Sequence, residues 1–311
     1  MISIIIATYN GAPTLARTLD AIAHITAPDA GYEVIVVDNA STDNSQQIIR
    51  SFEDRLPLTY IHEERRGKAF ALNSGIDSAK GDFLVFADDD ILPDADWLRG
   101  YEGSAAAHPD QSFFAGQVRH HWDVPPPHWL ERLGASGMSY AGTPEAREAG
   151  PVSYLAAKGP NMAVRKKALG AVRFRTEEGI NYMGTGTGTG GVDSWFARDA
   201  SDGTIWYAPD ASVKHIVRDH QIGIKPVFKR YVRIGLTNYY AERDTDTLFK
   251  RRVLGLPVTV LGRLARSGAG GVYRLMRGDT EAAARRMLEF AMDWGRLKSW
   301  RTARNSVGKQ P

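Results

Sequence analysis

The stretch Gly81–Asp90, GDFLVFADDD, decides how the rest of the chain is read. Phe83–Ala87 is a short apolar run bounded at its start by Gly81, and such a run reads as a strand buried on both faces. Asp88, Asp89 and Asp90 follow it without a gap. Three carboxylates at the end of a buried strand repel one another and are costly to desolvate unless a cation lies among them. Carboxylate oxygens are ligands for hard divalent ions, Mg²⁺ or Mn²⁺; magnesium needs only one or two of them when substrate phosphates and water fill the other positions. The stretch therefore reads as a metal–phosphate site at the carboxyl end of a strand, with a solvated acidic turn as the plain alternative.

Upstream, Ser3–Ala7 (SIIIA) is rich in β-branched residues and reads as a first buried strand, closed by the turn signal Asn10-Gly11. Thr14–Ile25 carries Leu15, Leu19, Ile22 and Ile25 at helical spacing. Glu33–Val37 is a second strand ending on Asp38. Ser41 or Asp43 can cap the helix that follows through Ile48, Ile49 and Phe52. Leu58–Ile61 is a third strand, and Lys68–Ala79 a third helix with Ala69, Leu72 and Ile76 on one face. This alternation predicts an α/β fold, a mostly parallel sheet with helices on both faces. Ligands of such sheets bind beyond the carboxyl ends of the strands. Thr8, Tyr9 and Asn10, Asp38, and Asp88–Asp90 should thus converge on one crevice, with Asp38 placed to accept hydrogen bonds from a ribose or a base edge.

Downstream, Asp94–Ala107 reads as a helix and Phe113–Gly116 as a strand. His120, His121, Trp122 and His128 fall in a Pro-rich loop, and their spacing fits no zinc pattern. Gly159–Val164 reads as a strand running into a helix start over Arg165–Leu169. Thr185–Gly191 (TGTGTGG) is a glycine-rich stretch whose backbone can approach a ligand, a candidate lid. Its G-x-G-x-x-G match at Gly186, Gly188 and Gly191 follows no convincing strand, which argues against a dinucleotide fold. Val192–Ser201 reads as a helix with Asp193 in its first turn. Ile205–Ala208 and Ser212–Ile216 read as two short strands. Helical patterns occupy Val227–Ala241, Phe249–Leu264 and Thr280–Trp300, the last amphipathic.

Composition sets limits on this reading. The 311 residues contain no cysteine, which excludes disulfides and thiol chemistry. No apolar run approaches the ~18–20 residues of a membrane span, and the opening MISIIIATYN lacks a basic n-region, so no signal peptide is expected. The net charge of +3 is unevenly spread: Lys225–Pro311 holds 19 Lys and Arg against 7 Asp and Glu, a balance of +12, which leaves −9 for the rest. An acidic body with a basic tail suggests an anionic partner for the tail. The tail carries no RNP-like aromatic motif and no zinc pattern, so specific nucleic-acid recognition is unsupported. An anionic membrane surface is the partner expected instead, at the cytoplasmic face. The apolar run Val253–Leu261 lies between basic residues there, too short to cross and interrupted by Pro257.

With its motifs in order, the chain resembles the family-2 glycosyltransferases of the GT-A fold over roughly Ile2–His215. The motifs are SIIIATYNG, VIVVDNASTDNS, ERRGKAFALNSGIDSAKGDFLVFADDD, GPNMAVRKKAL and GGVDSWFAR. The resemblance implies an inverting transfer from a nucleotide-sugar, UDP-linked by expectation, to a hydroxyl of a saccharide or lipid-linked acceptor. It implies that Ala7, Thr8 and Tyr9 lie along the nucleotide, that Asp38 contacts the base, and that Lys68 lies near the base and diphosphate. Asp88 and Asp90 would form the metal-binding DxD motif, with Asp88, and Asp89 beside it, also on the donor. Asp193 would be the catalytic base, and His215 matches a histidine found near the metal in some of these enzymes. The family usually has Glu-Asp where this chain has Val192-Asp193. Residues 1–222 would be the catalytic domain, with 1–110 as its donor half and 111–222 as its acceptor half, and 223–311 a basic helical extension. A nucleotidyltransferase and a non-catalytic membrane- or polyanion-binding protein are the rival readings.

Overall fold

The computed structural model describes residues 1–176, 192–242, 249–253 and 256–307. Two compact units divide them: residues 1–125, 131–176 and 192–218 form one, and 126–130 with 219–307 the other.

The first unit opens with β1 (Ile2–Thr8), α1 (Ala12–Ile22), β2 (Tyr32–Asp38), α2 (Ser45–Arg50), β3 (Leu58–His62), α3 (Lys68–Ser78) and β4 (Phe83–Asp88). The alternation read from sequence is present, and its strands pair in parallel in the order β3-β2-β1-β4. Side chains alternate across the pleat, so one strand feeds two cores. Ile4 and Ile6 of β1 pack with Leu15 and Leu19 of α1 on one face. Ile5 packs with Leu72 and Ile76 of α3 on the other. Burial on both faces accounts for the near-continuous apolar runs of these strands.

Beyond β4 come β5 (Ile91–Pro93), α4 (Trp97–Ala107), β6 (Phe113–Trp122), α5 (His128–Ala135), β7 (Gly150–Ser153), β8 (Met162–Arg165), α6 (Lys166–Leu169), α7 (Val192–Asp199) and β9 (Thr204–Val217). Here the sheet turns mixed: β8 runs antiparallel to both β4 and β6, and β9 parallel to β6. The nine-stranded sheet has the order β3-β2-β1-β4-β8-β6-β9-β5, with β7 on β9. Some expectations give way. His120, His121 and Trp122 end strand β6 instead of lying in a loop, because pairing with β9 continues to Trp122↔Val217. The two late strands are one, β9, carried past Asp210 by a register shift opposite Gly116/Gln117. The short β5 was not foreseen; its Ile91 stands opposite His215. The TGTGTGG stretch lies outside the described residues.

One buried side chain ties this mixed half together. Asn161, fully buried before β8, accepts at Oδ1 from Trp97 Nε1 (2.9 Å) and the Tyr101 hydroxyl (2.8 Å), both of α4. Its Nδ2 donates to the carbonyls of Gln117 on β6 (2.9 Å) and Ala211 on β9 (2.7 Å).

The second unit is helical among its described residues. It has α8 (Ile224–Glu242), the short strands β10 (Arg252–Val253) and β11 (Leu256–Pro257), α9 (Val258–Met276) and α10 (Thr280–Val307). The helix expected over Phe249–Leu264 begins only at Val258. Proline cannot supply the amide a continuing helix needs, and Pro257 stands at its N-cap. α8 and α10 cross with their backbones nearly touching: a Cβ on Gly235 would overlap Met292 O, and one on Gly295 would overlap Val232 O. Among the described residues no helix is long and apolar enough to cross a membrane.

Candidate active site

Parallel pairing fixes where the chemistry-bearing residues fall. Register sets Thr8 opposite Asp38 and Ala7 opposite Asp88, so three strand ends present them along one edge. Ala7, Thr8 and Tyr9 line a cleft of about 160 Å³ together with Asn39, Lys68 and Asp88–Asp90. Tyr9 stands at its rim, 42% exposed. The Thr8 hydroxyl donates to Asp89 Oδ2. A Cβ on Gly11 would collide with both Thr8 Oγ1 and Asp89 Oδ2, so the Asn-Gly turn is needed for clearance as well as for bending.

Lys68 is the first residue of α3, and its ammonium pairs with Asp88 Oδ1. Burial opposes the charge, yet Asp88, Asp193 and Asp89 hold Lys68 above the usual lysine value. Asn39 builds the approach to it. Its Nδ2 donates to the Glu63 and Arg65 carbonyls (3.1 and 2.7 Å), and its Oδ1 accepts the Gly67 N–H at 2.7 Å. The loop entering α3 is thereby fixed against the end of β2. Asn39 was not singled out from sequence; its neighbour Asp38 was. Asp38 is buried and is not among the cleft-lining residues; it accepts from the Ser41 N–H (2.9 Å) and the Tyr60 hydroxyl (3.2 Å).

The carboxylates crowd one another. Burial, and the charges of Asp90 and Asp88, push Asp89 up to about 7 against the pull of Thr8 and Lys68. Asp90 behaves oppositely: although burial disfavours its charge, His215, Lys68 and Arg218 hold it below the usual carboxylate value. His215, buried on β9, brings Nε2 to 3.2 Å from Asp90 Oδ1, an ion-pair contact. Among the described residues no three His, Asp or Glu side chains close into a metal cage. Three carboxylates crowded into one cleft nonetheless form an oxygen donor set that suits a hard cation completed by phosphate and water. Asp88 and Asp90 would hold it, with His215 beside them.

Asp193 lies in the first turn of α7, where its Oδ2 accepts the Gly159 N–H at 3.2 Å. Burial raises its pKa above the usual aspartate value and the charge of Asp88 adds to that, while Lys68, the Gly159 amide and Lys158 oppose it. The structure therefore brings Asp193 into the electrostatic field of the Asp88–Lys68 pair, as a carboxylate outside the triplet.

Comparison with known proteins bears on the family and the fold. Over 245 residues the chain is 28% identical to the succinoglycan biosynthesis protein ExoM of Rhizobium meliloti, covering 76% of this chain and 74% of that protein. It is 39% identical over 100 residues to the glycosyltransferase AglE of Haloferax volcanii, a match spanning 31% of this chain but only 33% of AglE. Its fold is similar to that of the mannosyltransferase PcManGT of Pyrobaculum calidifontis, solved with GDP-Man and Mn²⁺ (TM-score 0.61, 22% identity, 99% of this chain and 88% of that one). The glycosyl transferase family 2 model matches residues 3–172, more than half of the sequence. With a GT-A fold and that match, the chain belongs to glycosyl transferase family 2.

Proposed function

We propose that the protein is an inverting, metal-dependent glycosyltransferase of glycan assembly. It moves a sugar from a nucleoside-diphosphate donor, a UDP-sugar first among candidates, to a hydroxyl of a saccharide or lipid-linked acceptor. The observation that supports this most is the meeting of Asp88–Asp90 and Lys68 in one cleft with Asp193 apart from the triplet. Residues 1–110 serve the donor, 111–222 the acceptor, and 223–311 are an accessory basic unit. Thr8 orients Asp89, Lys68 offsets negative charge beside Asp88, and Asn39 steadies the loop that carries Lys68. Asp38, expected from the resemblance to contact the base, supports the loop after β2 through Ser41 and Tyr60. A bound Mg²⁺ or Mn²⁺ would stabilise charge on the departing diphosphate. Asp193 takes the proton of the attacking hydroxyl, on the sugar face opposite the leaving group.

The test is metal-dependent donor binding. Asp88→Asn and Asp90→Asn should each weaken Mn²⁺-dependent UDP affinity by roughly 10–100-fold, since each removes a charged contact worth about 1.5–3 kcal/mol. Titration calorimetry with UDP- and GDP-linked ligands reads this. Unchanged affinity in both variants would sink the assignment. Release of nucleoside diphosphate, not pyrophosphate, separates this reading from a nucleotidyltransferase.

The basic unit is read as resting on an anionic membrane at the cytoplasmic face. α9 ends in exposed Val272, Tyr273, Leu275 and Met276, with Arg274 and Arg277 among them. Apolar side chains among arginines suit the headgroup zone, where each such charge is worth about 1 kcal/mol. Co-sedimentation should show binding to phosphatidylserine-containing vesicles that falls with salt; equal partition with neutral vesicles would exclude the electrostatic attachment.

A further inference from the structure

A second cleft of the catalytic unit has no role so far. Its volume is about 320 Å³, and Ser136, Thr143, Arg147, Ser153 and Lys158 supply its polar lining. Two cations line it, and no Asp or Glu does. Arg147 lies over the Tyr207 ring, 5.6 Å from its centroid, and Lys158 Nζ finds only the Leu155 carbonyl at 3.4 Å. Among the described residues neither forms an ion pair with a carboxylate. Elsewhere on this unit the opposite is common: Arg17, Arg55, Arg119, Arg173 and Arg175 each pair with an aspartate. Burial holds Lys158 below the usual lysine value; the charge of Asp193 opposes this and that of Arg147 adds to it, so neither cation has a carboxylate in direct contact.

The position of the cleft matters as much as its charge. Lys158 is followed at once by Gly159, whose N–H reaches Asp193 Oδ2 at 3.2 Å, and a Cβ on Gly159 would press on that carboxylate. The cationic cleft and the proposed base are thus joined through one residue. Two unpaired cations lining a concave polar surface favour an anion, and charge-assisted contacts are roughly twice as strong as neutral ones.

We propose that this cleft is the acceptor subsite and that it takes a saccharide bearing an anionic group, a carboxylate or a phosphate, near the hydroxyl to be glycosylated. The proposal rests on Asp193 being the base. In the step it serves, the acceptor oxygen bonds the anomeric carbon while the bond from that carbon to the donor diphosphate breaks. The hydroxyl proton passes to Asp193, and the nucleoside diphosphate leaves with the bonding electron pair. Arg147 and Lys158 hold the anionic substituent and so fix which hydroxyl faces Asp193.

Binding is the readout, so the result stands whether or not Asp193 proves to be the base. A titration with UDP and Mn²⁺ first fills, and separately tests, the donor cleft. Calorimetry of the filled protein then compares p-nitrophenyl glucuronide, glucose 1-phosphate and neutral p-nitrophenyl glucoside. At least one anionic probe should bind about tenfold or more tightly than the neutral one. That preference should vanish in the Arg147→Met/Lys158→Met double variant and persist in Lys158→Arg, with thermal melts confirming that each variant folds. Preference for the glucuronide alone assigns a carboxylate, and for glucose 1-phosphate alone a phosphate. Equal affinities, no binding of any probe, or a preference that survives in the double variant overturns the proposal.

Discussion

Asp193→Asn is expected to lower turnover by ~10²–10⁴-fold, the usual worth of a positioned general base, while leaving donor binding nearly intact. The amide keeps the shape of the side chain and can still accept the Gly159 N–H seen at 3.2 Å, but it cannot take a proton. Steady-state release of nucleoside diphosphate in the presence of acceptor measures the loss, and near-normal turnover would place the base elsewhere. The pH profile supplies an independent check. Burial above all, with Asp88 adding, raises the Asp193 pKa. The working form is the carboxylate, so the rate should fall as pH drops through a value above the ordinary aspartate range, and that limb should disappear in Asp193→Asn. Stability responds with the opposite sign. A folded-state pKa above the unfolded one means that the folded chain holds the proton longer, so this group's contribution is full below the unfolded pKa and is lost as pH rises through the folded one. Asp193 is kept in a state that catalysis needs and folding does not favour.

Asn161→Ala is expected to destabilise the catalytic unit by about 3–5 kcal/mol. Removing the amide leaves two buried donors, on Trp97 and Tyr101, and two carbonyls, on Gln117 and Ala211, without their partner. Each orphaned buried group costs about 1–3 kcal/mol, and the groups share one cavity, so the costs are not fully additive. Equilibrium denaturation followed by far-ultraviolet circular dichroism measures the change. Adding Trp97→Phe and Tyr101→Phe to Asn161→Ala removes the stranded donors and should recover part of the loss, because deleting both partners of a buried hydrogen bond is far less harmful than deleting one. A loss below about 1 kcal/mol, or no recovery in the triple variant, would show that Asn161 is not the tie described.

The parallel half of the fold was legible because its signals are local. Each strand is a short apolar run, each helix a 3.6-residue period, and the polar residues that matter stand directly after the runs that place them. Thr8 and Asp88 could be assigned to a common edge from chain order alone, and they line one cleft. The mixed half was less legible because its pairing joins segments far apart in sequence. Nothing near Met162 announces that β8 will run antiparallel to β4, and the polar end of β6 hides a strand that only its partner β9 reveals. Asn39 and Asn161 were passed over for a related reason. An asparagine whose amide joins three or four backbone or ring groups looks, in sequence, like any loop asparagine. The motif GPNMAV was noticed as a unit, but not that Gly159 serves Asp193 while Asn161 serves the core. Arg147 and Lys158 gave no signal, since a cation without a counterion is visible only once its surroundings are known.

The division of the site along the chain has a consequence for synthesis. The proposed donor cleft is lined by residues between Ala7 and Asp90, whereas Asp193 enters translation more than a hundred residues later. At about 5–20 residues per second, the nascent chain carries the donor-side residues for several seconds before the aspartate exists. Strand β8, which docks against β4, and β9, which brings His215 beside Asp90, are also made after the donor cleft. An unfinished chain therefore carries its carboxylate triplet before the aspartate proposed as its base has been made.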